Sequence, residues 1–88
     1  MNINFETKNK PVLSTIFVVE QNSPILYVYL DDDGDWQCLG GEEVDESDAR
    51  IISIGELLEL DPTLTTVPDL EKGESASRTN KQGQWQKD

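Results

Sequence analysis

The segment Asp31-Asp32-Asp33-Gly34-Asp35-Trp36 gathers more chemistry-bearing groups than any other stretch of the chain. Carboxylates around a glycine raise calcium first, because that hard cation collects oxygen ligands. An EF-hand loop would put Gly34 at the sixth position, which leaves Tyr29 as the first ligand and Gly40 where a bidentate Glu belongs. The spacing fails at both ends. The plainer expectation is a hairpin turn, since Gly takes positive φ without steric cost and Asp bonds its own backbone. A weak calcium site of another kind is the alternative.

Other chemistries fare worse. Carboxylate pairs suited to acid–base work can be drawn almost anywhere in so acidic a chain and therefore point nowhere. Cys38 falls within an expected strand, and the chain has no His to activate it or any Ser. A buried structural thiol is the expectation. Gly40-Gly41 leads into acids and not into Lys, so no phosphate-cradling loop is present. One Cys and no His also rule out the usual zinc spacings and an internal disulfide. The sequence thus calls for no catalytic residue, metal or other cofactor, and a reducing cytoplasm is the expected location.

Acidic residues number 18 against 7 basic ones in 88, for a formal net charge of -11. Phosphate backbones would be repelled by such a surface, so nucleic acid is excluded as a ready partner. The acidity is uneven. No Lys or Arg occurs between Pro11 and Ala49, whereas Asp31, Asp32, Asp33, Asp35, Glu42, Glu43, Asp45, Glu46 and Asp48 crowd the second half of that stretch. Such a block is either a solvated loop or an electrostatic landing surface for a basic protein. Trp36 and Trp85 are core or edge residues in the ordinary reading and hot-spot anchors in the functional one. The candidate partner-binding set is Asp31, Asp32, Asp33, Asp35, Trp36, Glu42 and Glu43.

The elements that must position these groups can be read from pattern. Val12–Glu20 is β-branched and aromatic and is bounded by Pro11 and Pro24, which predicts a first strand. Ile25–Leu30 is apolar on both faces and reads as a central strand covered on both sides. Trp36–Leu39 returns as its hairpin partner, and Glu42–Asp48 follows as a loop or one loose helical turn. Ile51, Ile52 and Ile54 form another β-branched run. Ser53 and Glu56 then match a capping box, which predicts a helix over about Ile54–Leu60 with Leu57, Leu58 and Leu60 buried. Asp61 caps a second short turn through Pro62. Residues 71–88 are either a disordered tail or a hairpin turning at Asn80–Gly83, with Trp85 arguing for docking. The longest mostly apolar stretches, Thr15–Val19 and Pro24–Leu30, fall far short of the roughly 20 residues a membrane helix needs. Neither membrane insertion nor an ordinary export signal is expected.

Several of these pieces recur together elsewhere. Asp33-Gly34-Asp35-Trp36-Gln37 with Leu39, Gly40 and Gly41, then Ala49–Ile54 leading into Glu56-Leu57-Leu58, Asp61-Pro62-Thr63-Leu64, Asp69-Leu70, Gly73, Ala76, Arg78 and Trp85 resemble small bacterial proteins of the DUF2185 or immunity-protein-33 type. The resemblance covers roughly Pro24–Trp85. It implies an α+β fold, an ordered hairpin over Gly73–Trp85, and neutralisation of a cognate toxin in the producing cell. The combined expectation is a flexible N-terminus over residues 1–10 and one α+β domain over 11–88. That domain would hold a small antiparallel sheet of about four to five strands and one short helix. As a monomer or weak homodimer, it would bind a basic toxin domain, the alternative being a stand-alone regulatory or adaptor domain with no toxin partner.

Overall fold

The computed structural model describes Met1 and residues 5–88. Its framework is one mixed sheet of six strands: β1 (Pro11–Thr15), β2 (Tyr27–Leu30), β3 (Trp36–Leu39), β4 (Ala49–Ser53), β5 (Ser75–Ser77) and β6 (Gln86–Lys87). They lie in the order β4-β1-β3-β2-β5-β6. The class is α+β as expected, but the sheet is larger than four to five strands and is not wholly antiparallel. β1 and β3 run parallel, with Val12 opposite Trp36. All other neighbours are antiparallel.

The parallel pair arises because β3, and not β2, lies beside β1, and the first strand is also shorter than its composition suggests. At Thr15 the chain leaves the sheet: the Thr15 hydroxyl oxygen accepts the Val18 amide at 3.3 Å, and Ile16–Val19 closes a helical turn, α2. Four β-branched or aromatic residues therefore sit in a helix. Burial outweighs propensity here, since the turn drives Val18 into the core at 2% exposure. The chain then returns as β2, and the β2–β3 hairpin folds β3 back against β1. The left-handed Asn22, with φ of 57°, lies on that return path.

β2 and β3 occupy the middle of the sheet, as expected for the apolar run. The core covers one face alone. Val12, Val28, Cys38 and Ala76 point into it and meet Ile54, Leu57, Leu64 and Val67 from the segments packed on that side. Tyr27 and Tyr29, edge-to-face with ring centroids 6.4 Å apart, are half-buried on the opposite face, so the two-sided covering expected of this strand is not found. Ile25, fully buried, enters the core just before the strand begins.

β4 leads directly into the helix α3 (Ile54–Leu60) through the anticipated capping box. Ser53 Oγ accepts the Glu56 amide at 3.1 Å, and the Glu56 carboxylate accepts the Ser53 amide at 3.2 Å. Ile54 and Leu57 are buried, but Leu60 is exposed at 39%, contrary to expectation. Helical spacing explains this, because the position one turn beyond Leu57 is Asp61, and Asp61 takes the buried place. Asp61 in turn caps a 3-10 turn over Pro62–Thr66 through its bond to the Thr63 amide. A second 3-10 turn covers Glu46–Asp48 within the acidic loop.

The terminal segment forms the hairpin, with Ala76 opposite Lys87 and Ser77 opposite Gln86, closed by the Gly83 amide on the Asn80 carbonyl at 3.0 Å. The flexible stretch expected over residues 1–10 lies partly outside the described residues, at 2–4. Phe5–Lys8 is a helical turn, α1, and the Met1 amino group donates to the Val67 carbonyl. The Ile54 amide bonds the Lys10 carbonyl at 3.0 Å, which ties this segment to the start of α3.

Candidate functional site

Asp31 shapes the acidic turn. One oxygen of its carboxylate, Oδ1, accepts the amides of both Asp33 and Asp35 at 2.9 Å, while its carbonyl accepts the Gly34 amide. Gly34 holds φ at +88°, a conformation that side-chain-bearing residues resist. This is the expected turn chemistry. It brings oxygen atoms of Asp31, Asp33 and Asp35 within 4.8 Å of one another.

Beside this turn lies a hollow of about 290 Å³, bordered by Asp31, Asp35, Trp36, Leu13 and Ile51 among others. The sheet assembles it. Leu13 faces Ile51 across β1–β4 and Gln37 across β1–β3, and Trp36 opens β3 immediately after the turn. Trp36 packs against the core, as in the ordinary reading of it, and also borders the hollow. Ile51 is 72% exposed, the most exposed large apolar side chain among the described residues. An apolar floor with carboxylates on its rim suits an alkyl or aromatic group that carries a positive charge. Asp32 and Asp33 project on the exposed side of the same turn.

Glu42 and Glu43 do not join this group. They follow the far end of β3, about 13 Å along a four-residue strand from Trp36, and both are exposed. The seven residues of the candidate set therefore form a cluster of five and a separate pair.

Cys38 is fully buried among core side chains. Burial, reinforced by the negative charge of Asp61, pushes its thiol up to about 12. A thiol held neutral in this way is a poor nucleophile.

A second constellation was not visible as a site in the sequence. Arg78, just past β5, turns its guanidinium inward with 1% of the side chain exposed. It donates to Asp61 Oδ2 at 3.1 Å, to the Thr63 hydroxyl at 2.9 Å, and to the carbonyls of Ile25 at 2.9 Å and Lys81 at 3.0 Å. The Thr63 hydroxyl in turn donates a hydrogen bond to Asp61 Oδ1. Trp85 stacks on the guanidinium, whose central carbon is 4.3 Å from the ring centroid. The only sequence signals for this network were an isolated Arg and a late Trp in a polar stretch. Over it opens a groove of about 750 Å³ lined by Thr63, Thr66, Arg78, Lys81, Gln82, Gly83, Gln84 and Trp85.

No family model, curated protein or solved structure matches this chain. Among the described residues no helix is long and apolar enough to cross a membrane.

Proposed function

We propose that this chain is a non-catalytic binding protein that receives a basic protein at the hollow bordered by Asp31, Asp35 and Trp36, and that this partner is a bacterial toxin domain it neutralises in the cytoplasm. The supporting observation is the joining of an exposed apolar floor to a rim of carboxylates. Asp31, Asp32, Asp33 and Asp35 have no ion-pair partner among the described residues, and the Lys72 side chain that lies over Gly34 offsets only part of their charge, so a net negative field is left for an incoming cation. Carboxylates placed this way accelerate encounter with a basic surface and orient it, while Trp36, Leu13 and Ile51 supply apolar contact once it has docked. A toxin that acts on nucleic acid has the required chemistry, because its cleft is built to attract phosphate charge.

Affinity capture from the native cell tests the reading first: one stoichiometric basic protein is expected. Its capture should then respond to charge. Replacing Asp32, Asp33 and Asp35 by Asn lowers the association rate about tenfold at low salt and flattens its salt dependence. Glu42→Gln with Glu43→Gln has a smaller effect, since those residues lie away from the hollow. Association rates indifferent to the aspartates reject the steering role. Failure to capture any basic partner returns the chain to the stand-alone regulatory reading, with acidity serving solubility alone.

A further inference from the structure

The core covers one face of the sheet, and the strand register shows what the other face presents. Ile51 stands opposite Leu13, Leu13 opposite Gln37, Gln37 opposite Tyr29, and Tyr29 opposite Ser75. Residues paired across strands point to the same side, so these form one row. Two residues further along each strand, Leu39, Tyr27, Ser77 and Gln86 form a second. No residue of either row is charged or fully buried. The row that begins at Ile51 and Leu13 runs on directly from the hollow beside Trp36.

A partner cannot reach this sheet by adding a strand to it. At the β4 edge, the bond from the Ile54 amide to the Lys10 carbonyl fixes the alternation of the β1–β4 ladder, so Ala49, Ile51 and Ser53 turn their main chain outward. Local bonds already occupy these groups at Ala49 and Ser53. The Ala49 amide donates to the Glu46 carbonyl, the Ala49 carbonyl accepts Arg50 Nη1 at 2.8 Å, and the Ser53 amide donates to the Glu56 carboxylate at 3.2 Å. Among the described residues of β4, Ile51 alone keeps both groups for an incoming strand. At the opposite edge β6 is only two residues long. Docking must therefore use the face.

The face has carboxylates at both ends. Asp31 and Asp35 border the hollow with Leu13 and Ile51, and the Asp88 carboxylate accepts the hydroxyls of Ser75 at 3.0 Å and Ser77 at 2.9 Å. Lys87, beside Asp88, is paired with Glu74 at 3.2 Å. An apolar centre between acidic ends complements an apolar stripe flanked by cations. A second copy of the chain is the wrong occupant, because each copy carries a net charge of -11. Size favours a helix: the two rows lie about 7 Å apart, which one helix about 10 Å across can cover.

We propose that this open face docks an amphipathic helix of a basic partner, its apolar side on Ile51, Leu13, Tyr27 and Tyr29 and its Lys or Arg residues toward Asp31, Asp35 and Asp88. The proposal rests on the reading of the chain as the receiver of a basic protein and extends the contact from the hollow across the sheet.

The test is an NMR titration of the isotope-labelled chain with a capped 14-residue Leu–Lys peptide whose leucines recur at helical spacing. A second peptide of the same composition and charge, with its leucines scattered around the helix, is the control. The amphipathic peptide should shift Leu13, Gln37, Tyr27, Tyr29 and Ile51 to saturation, and the scattered one should bind about tenfold more weakly. Ile51→Thr keeps a β-branched residue at an exposed strand position, so the spectrum stays dispersed while the amphipathic peptide binds about fivefold more weakly. Tyr29→Thr should act likewise. Equal affinities for the two peptides, shifts centred on Glu42, Glu43 and Glu46, or indifference to both substitutions would overturn the proposal. Concentration-dependent broadening of the same rows without peptide would overturn it in favour of a second copy. The two readings fail separately. A captured basic partner that responds to Asp32, Asp33 and Asp35 but not to Ile51 and Tyr29 keeps the hollow and rejects the face; saturable peptide binding on the rows with no basic partner in the cell keeps the face and rejects the toxin.

Discussion

A charge stranded in the interior costs far more than a neutral pair of the same shape, and the Arg78–Asp61 contact is placed to expose that difference. Asp61→Asn preserves the cap on Thr63 but leaves the guanidinium unpaired, and Arg78→Met leaves the carboxylate. Each should lower unfolding stability by about 3–5 kcal/mol, measured by urea titration, with the double variant falling well short of the sum. Cys38 makes a prediction in pH. Its native thiol ionises only near 12, whereas the unfolded thiol does so near 9.0, so the native state holds the extra proton between those values. The stability from keeping the thiol neutral is complete below pH 9 and fades as pH rises from there. The slope is about 1.4 kcal/mol per pH unit, and Cys38→Ala should remove that share of the decline between pH 8 and pH 10.5. The burial of Cys38 and the capping role of Asp61 could be read from local sequence. Arg78 could not, because its carboxylate partner lies 17 residues away and no periodicity links them.

Elements were legible where their signals are local. The Ser53–Glu56 box marks the start of α3 within a few residues of chain, and Pro62 marks its end. Ser53→Ala removes the oxygen that accepts the Glu56 amide and should destabilise the protein by about 1 kcal/mol in thermal or urea unfolding, with Ser53→Gly costing less. α2 was illegible for the converse reason. Ile16–Val19 has the composition of a strand, and only the Thr15 cap and the core position of Val18 make it helical. A hydroxyl at Thr15 is a weak cue beside four β-branched or aromatic residues. The hollow inherits this difficulty, since Leu13, Ile51 and Trp36 border one space only because β4, β1 and β3 lie side by side, an order that no local pattern announces.

Across the whole molecule the charge is sorted by position along the sheet. The acidic turn and its hollow adjoin β1 and β3, while the groove with Arg78 and Lys81 adjoins β5, beyond β2 in the strand order. The composition disclosed the excess of negative charge and the crowding of acids between Asp31 and Asp48. It did not disclose that Glu42 and Glu43 leave that cluster, or that a donor-rich groove stands apart from it, because both depend on strand order. That order also governs how quickly the chain can find its native state. β2 has β3 as a sequence neighbour, yet its other partner is β5, with Val28 opposite Ala76, and β1 waits for β3 and β4. Loop closure must precede those distant pairings, which places the folding rate with the slower mixed sheets and not with helical bundles. The locality of the β2–β3 hairpin makes it the expected early nucleus and the docking of β5 with Trp85 the expected late event, which the fluorescence of Trp85 in a Trp36→Phe variant would time.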